Sequence, residues 1–249
     1  MIAGQQALLA QAHRHYTAGE LDVAWSVLSD LKLDASDPLD APILSLRGMI
    51  RRQRGEIAEA VQDAKQVCSL ISDDPVAWYN LGVACERGGH IDEAAAAYGQ
   101  ALGRAPEHYA SLYNLGTILL LHKDDALEAA ELYGRAYALR SGDPKLILNL
   151  SVALVILNRH DQAMTMISHV FGCGGAAAAH YCIRGLCNYE LGRHADALRD
   201  YETALTLDPK LKQAQYNKAL LLLLHGDFDR GLALYEAREG LLDIIQVSQ

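Results

Sequence analysis

The stretch "WYNLGVACERGGHIDEAAAAYGQALGRAP", Trp78 to Pro106, decides the fold, because its opening returns almost unchanged as "LYNLGTILLL", Leu112 to Leu121. Tyr79 and Tyr113 stand 34 residues apart. Self-similarity at a fixed period of this length is the signature of stacked supersecondary units, each burying its apolar face against the next.

The turn inside the stretch forms a series along the chain: "GELDVA" from Gly19, "GEIAEA" from Gly55, "GHIDEA" from Gly89, "NRHDQA" from Asn158, "GRHADA" from Gly192 and "GDFDRG" from Gly226. Each begins with a Gly or Asn able to end a helix in the left-handed conformation. An acidic residue often follows near the start of the next helix, and then a small residue inside it. The turn "KDDALEA", Lys123 to Ala129, is one residue longer. The units are 5–38, 41–74, 75–108, 109–143, 144–177, 178–211 and 212–239, each a pair of antiparallel helices, with 240–249 left as a tail or cap.

This pattern resembles the tetratricopeptide repeat over nearly the whole chain. Trp78, Leu81, Gly82, Ala94, Tyr98, Ala101 and Pro106 stand where that family places its large, small and helix-ending residues. The resemblance implies one all-α, right-handed superhelical solenoid of about seven repeats over residues 1–249. The residue types also make sense by packing alone: Gly82 and Ala94 are small where the two helices of a pair touch, and Tyr98 fills the space beside them. Gly48 with Ala60, Gly116 with Ala129, Ser151 with Ala163 and Gly185 with Ala197 repeat the arrangement. Arg47 and Arg184 replace an apolar residue, and each has an Asp sixteen positions on, Asp63 and Asp200, which predicts two structural ion pairs.

Composition agrees with helix throughout. The chain is 51% hydrophobic and 21% charged, and no long run alternates apolar and polar residues. A net charge of −9 argues against a surface built to neutralise phosphates, so no nucleic-acid partner is expected. The basic run "RGMIRRQRGE", Arg47 to Glu56, is read as a solvated helix face, with an acidic partner as the second reading. The N-terminus lacks the pattern of a signal peptide and no apolar run reaches membrane-spanning length, so a cytoplasmic protein without membrane insertion is expected.

Signs of catalysis are absent from the pattern. The five cysteines include no CxxC pair. His90, His122, His160, His194 and His225 sit at or beside inter-helix turns, where exposure is the expectation, and His13 and His15 point in different directions on one helix. The glycine-rich "FGCGGAAAAH", Phe171 to His180, lacks a preceding strand and a Walker lysine and is read as a linker between repeats. No enzyme activity, cofactor or metal is expected.

Function is therefore sought on the first helix of each pair, which lines the concave side of such a stack. Arg52, Tyr79 and Arg87 supply the early part of that groove, and Tyr113, Leu148, Val152 and Leu220 the later, more apolar part. Asn80, Asn114, Asn149 and Asn217 recur at one repeat position, interrupted by Ile183. Amides in a row offer donors and acceptors to the backbone of an extended peptide, and equally to neighbouring backbone. The series resembles the asparagine ladder in the superhelical arm of O-linked N-acetylglucosamine transferases. "LLLLHGDFDRGLALYEAREG", Leu221 to Gly240, resembles the last repeat of bacterial proteins in which such an arm leads into a glycosyltransferase domain. The carboxylate clamp of chaperone receptors does not match, since Ser45, Met49, Ala110 and Asn114 occupy its places. A non-enzymatic scaffold holding an extended protein or peptide partner is the first expectation. A substrate-recruiting arm of, or partner to, a glycosyltransferase is the second. The third is self-assembly, with the apolar tail "LLDIIQVSQ" as one route to a homo-oligomer.

Overall fold

The structure is a computed structural model that describes residues 3–236 apart from 32, 35 and 173. Among the described residues there are fourteen α-helices, one short 3-10 turn at Pro38–Asp40, and no strand. They run in antiparallel pairs: α1 (Ala3–Thr17) with α2 (Leu21–Leu28), α3 (Ala41–Arg54) with α4 (Ile57–Leu70), α5 (Pro75–Arg87) with α6 (Ile91–Arg104) and α7 (Tyr109–His122) with α8 (Ala126–Leu139). The series continues with α9 (Pro144–Ile156) and α10 (His160–Gly172), α11 (Ala178–Glu190) and α12 (His194–Leu207), and α13 (Lys212–Leu224) and α14 (Phe228–Glu236). Two compact units result, Met1–Leu115 and Gly116–Gln249. The tail at 240–249 and Cys173 lie outside the described residues.

Local chemistry sets the helix boundaries. Pro75 and Pro144 open α5 and α9, where a missing N–H costs nothing, and the side chains of Asp74 and Asp143 accept from Val76 N–H and Lys145 N–H. In the longer fourth turn no glycine is present, and Asp124 takes the left-handed conformation at φ 51° while Asp125 caps α8 through Glu128 N–H. Asn158 does the same work before α10 at φ 57°.

Packing within three of the pairs rests on a ring against a missing side chain. Tyr98, Tyr133 and Tyr201 are at most 1% exposed. A Cβ added to Gly82, Gly116 or Gly185 would fall 2.5, 2.9 or 2.6 Å from a carbon of the corresponding ring. Ala94, Ala129, Ala163 and Ala197 on the second helices are fully buried.

One of the two expected ion pairs forms as read: the Arg184 Nε donates to both oxygens of Asp200 at 3.0 Å. The other is corrected. Asp63 is held by Arg51, with Nη1 to Oδ2 at 2.6 Å, while Arg47 lies over the Trp25 ring and its Nε is buried without a hydrogen-bond partner. The cause is visible in the second case, where Asn188, one turn beyond Arg184, also donates to Asp200. In both pairs the residue one turn on reaches this carboxylate, and in α3 that residue is itself an arginine. Burial raises the Asp63 carboxyl above its ordinary range, with Arg51 opposing the shift.

Gly82→Ala is expected to destabilise the chain by about 1–3 kcal/mol, because the buried Tyr98 ring has no room to yield. Gly99→Ala, on the exposed side of α6 with nothing within 4 Å of the new methyl, is expected to stabilise it by about 0.5–1 kcal/mol. Chemical denaturation of both variants checks the pair, and equal effects would show that the ring contact does not set the packing.

Candidate functional site

The first helices α1, α3 and α5 neighbour one another in the first unit, as do α9, α11 and α13 in the second. Residues on their free faces are the candidates. In the first unit, Tyr79 is half-buried, its ring 5.9 Å from that of Tyr98 and 5.1 Å from that of His108. Tyr113 stacks on Tyr109 at 6.5 Å, and Arg87 is exposed at the end of α5. Arg52 and Asn80 line one cavity. In the second unit, Leu148, Val152 and Asn149 are half-exposed on α9, and Leu220 is exposed on α13. Leu121, Ile156 and Leu224, at 56, 57 and 58% exposure, hold one equivalent place near the ends of α7, α9 and α13.

The asparagines are not equivalent. Asn114 Nδ2 donates to the Tyr98 hydroxyl at 3.0 Å, and Asn149 Nδ2 to the Tyr133 hydroxyl at 3.4 Å. Tyr98 in turn donates to Glu86 at 2.7 Å. Burial and this donation to Glu86 both push the Tyr98 phenol upward, so it remains a donor at any ordinary pH. Asn217 is buried between Gln213, which donates to its Oδ1 at 2.9 Å, and the Cys182 sulfur at 3.9 Å. Two of the four amides thus tie a repeat to the tyrosine of the one before it, a role that sequence reasoning missed. The signal was available: each tyrosine stands sixteen residues before its asparagine, and where Ile167 replaces the tyrosine, Ile183 replaces the amide.

Other polar groups serve the architecture. His180 is buried, its Nδ1 accepting from Ala177 N–H at 3.1 Å and its Nε2 donating to the Pro144 carbonyl at 3.0 Å, which ties α11 to the start of α9. His90, His122 and His225 are exposed, whereas His160 and His194 are half-buried, with His194 Nδ1 lying 2.9 Å from His225 Nε2. Contact with the adjacent repeat removes the solvent that a turn alone would have. Cys68, Cys85, Cys182 and Cys187 are free and buried. Burial lifts Cys68 and Cys182 to about 12 and Cys187 to about 11, which disfavours the thiolate at each of these three. Among the described residues no group of three or more His, Cys, Asp or Glu is placed to hold a metal, and no helix is long and apolar enough to cross a membrane.

Antiparallel helix pairs without a strand among the described residues, three of them locked by a glycine against a tyrosine ring, define a helical-repeat protein. Residues 79–144 and 178–211 match models of the tetratricopeptide repeat. The chain carries tetratricopeptide repeats over those residues. A solved tetratricopeptide repeat protein from Parabacteroides merdae superposes with a TM-score of 0.69 at 16% identity, covering 98% of each chain. PilF of Pseudomonas aeruginosa gives 0.70 at 17% identity over 84% of this chain and 94% of its own. YrrB, described as having an unusual peptide-binding site, gives 0.57 at 18% identity over 73% of this chain and 91% of its own. Protein FlbA of Caulobacter vibrioides is 29% identical over 164 residues, which is 65% of this chain and only 27% of that protein's length.

Two measurements follow from the hydrogen bonds. Asn114→Ala is expected to cost about 0.5–1.5 kcal/mol, the net value of its bond to Tyr98, whereas Asn80→Ala, with no such bond, is expected to be near neutral. Equal losses in urea titrations would remove the distinction. His108 supplies the second: Ser111 N–H donates to its Nδ1 at 3.3 Å, the Ser111 hydroxyl lies 2.8 Å away, and burial lowers the imidazole below its ordinary 6.5. A depressed folded value means the unfolded chain takes up the proton first. The contribution is therefore complete above about pH 6.5 and is lost as pH falls through the lower folded value. Thermal melting between pH 7 and 5 is expected to fall less steeply in His108→Asn than in wild type.

Proposed function

We propose that the chain is a non-enzymatic scaffold that binds an extended segment of a partner protein along its first helices. The observation that carries this reading is the recurrence of Leu121, Ile156 and Leu224, each more than half exposed, at one position of three first helices of the repeat series. An apolar residue exposed once is ordinary, but here it recurs at a repeat position, interrupted by Glu190 on α11, and burial of such residues against a partner is favourable by about 25 cal/mol per Å². Half-exposed Leu148 and Val152 on α9 and exposed Leu220 on α13 extend the apolar surface available. Tyr79, Tyr113, Arg52 and Arg87 give the first unit a more polar share of the same role. That YrrB is described as having a peptide-binding site supports the reading by likeness of fold.

The arm of a glycosyltransferase is the weaker reading. It rests on the asparagine series, and the Asn114 and Asn149 amides already serve Tyr98 and Tyr133.

Affinity capture with wild type, a Leu121→Asp/Ile156→Asp/Leu224→Asp variant and a control tests the proposal. The control, Leu127→Asp/Leu207→Asp/Leu232→Asp, alters residues 49, 56 and 52% exposed on the second helices α8, α12 and α14. A partner retained by wild type and control and lost from the first variant is the expected result. Identical retention by all three proteins sinks the reading.

A further inference from the structure

His194 opens α12 in the sixth repeat, and His225 follows the last residue of α13 in the seventh. Their rings meet across the boundary between the two repeats, with His194 Nδ1 lying 2.9 Å from His225 Nε2 and the ring centres 5.0 Å apart. Tyr189 stacks on His194 at 5.5 Å, the two ring planes 19° apart, which limits how that imidazole turns. His194 is half-buried and His225 is exposed. One repeat earlier, His160 stands where His194 does, but Leu191 takes the place of His225, so that boundary has no such pair.

Two neutral imidazoles in contact hold one proton and one lone pair between them. As a hydrogen bond at an accessible site this arrangement gains little, because water competes for both groups. A divalent transition ion in the same place takes a lone pair from each ring, at metal–nitrogen distances of about 2.0–2.1 Å. Two such bonds at a tetrahedral angle set the nitrogens about 3.3–3.4 Å apart. The rings therefore have to part by only about 0.4 Å from their present 2.9 Å, and the exposed His225 side chain supplies that movement. The donating ring changes tautomer, moving its proton to the far nitrogen, so both rings stay neutral. No third His, Cys, Asp or Glu stands with them among the described residues, so water fills the remaining positions. Imidazole ligands select zinc, copper or nickel over magnesium or calcium.

We propose that His194 Nδ1 and His225 Nε2 together bind a divalent transition-metal ion such as zinc, which clips the start of α12 to the end of α13. The two ligands stand 31 residues apart and belong to different repeats, so the ion holds the last helix pair against the one before it. An ion that binds the folded pair of repeats more tightly than the unfolded chain shifts the equilibrium toward the folded array.

Calorimetric titration of zinc into the full chain, carrying no added histidine tag, tests the proposal at neutral pH. Wild type is expected to give a saturable isotherm with zinc and none with magnesium. Loss of even an outer-shell partner of a metal site costs about 10–100-fold in affinity, so His194→Ala and His225→Ala are each expected to weaken zinc binding by at least about tenfold. His122→Ala, at the exposed end of α7, is expected to bind as wild type does. Thermal melting followed by circular dichroism supplies a second readout: zinc is expected to raise the midpoint of wild type and His122→Ala but not of the other two variants. A merely structural contact between the rings would leave all four proteins indifferent to zinc. Absence of a saturable isotherm overturns the proposal. Equal binding by all four proteins overturns it too, since zinc is then an adventitious ion only, held by other histidines. Should His194→Ala or His225→Ala fail to fold, the imidazole nitrogen resonances of wild type decide. Zinc is expected to move those of His194 Nδ1 and His225 Nε2, and shifts confined to other histidines overturn the proposal.

Discussion

The contact between a tyrosine ring and the bare backbone of a glycine is what three of the helix pairs depend on. Gly82, Gly116 and Gly185 give up a side chain so that Tyr98, Tyr133 and Tyr201 can pack against the facing helix. Dispersion between close surfaces is individually weak, and a ring pressed on backbone collects many such contacts at once. The glycine costs helix propensity, on the order of 1 kcal/mol, which the buried ring more than offsets. Everything outward from that contact follows: the helix spacing, the orientation of the first helices, and the direction in which the tyrosine hydroxyl points.

That hydroxyl links one pair to the next. A phenol buried among apolar side chains needs a partner, and in two places the next repeat supplies an asparagine. Packing inside a repeat and registration between repeats are thereby joined in one residue. Between Ile167 and Ile183 the join is apolar instead, with neither hydroxyl nor amide. Cohesion there comes from burial alone, which is less particular about geometry than a hydrogen bond.

Much of this was legible before any coordinates. The helix pairs follow from the 34-residue echo and the Gly or Asn turns, because a left-handed residue followed by a small one leaves the chain few alternatives. Residue-level partners were harder to read. Arg47 and Arg51 lie one turn apart on a single helix face, and spacing does not say which reaches Asp63; both lie over the Trp25 ring of another helix pair, and only Arg51 also bonds the carboxylate. Asn217 has the sequence position of an exposed amide yet is buried beside Cys182, since burial depends on neighbours that the repeat pattern does not name.

Both tryptophans of the chain, Trp25 and Trp78, belong to the first unit. Guanidinium groups attend each of them: Arg47, Arg51 and Arg54 within 5.7 Å of the Trp25 ring centre, and Arg104 at 4.9 Å from that of Trp78, whose Nε1 also donates to the Ser72 carbonyl at 2.7 Å. Intrinsic tryptophan emission consequently reports on residues before 116 and is blind to the melting of the rest. Circular dichroism counts helices in both units. The gap between the two signals on heating is therefore a direct optical readout of whether the halves of this array unfold as one cooperative body or in succession.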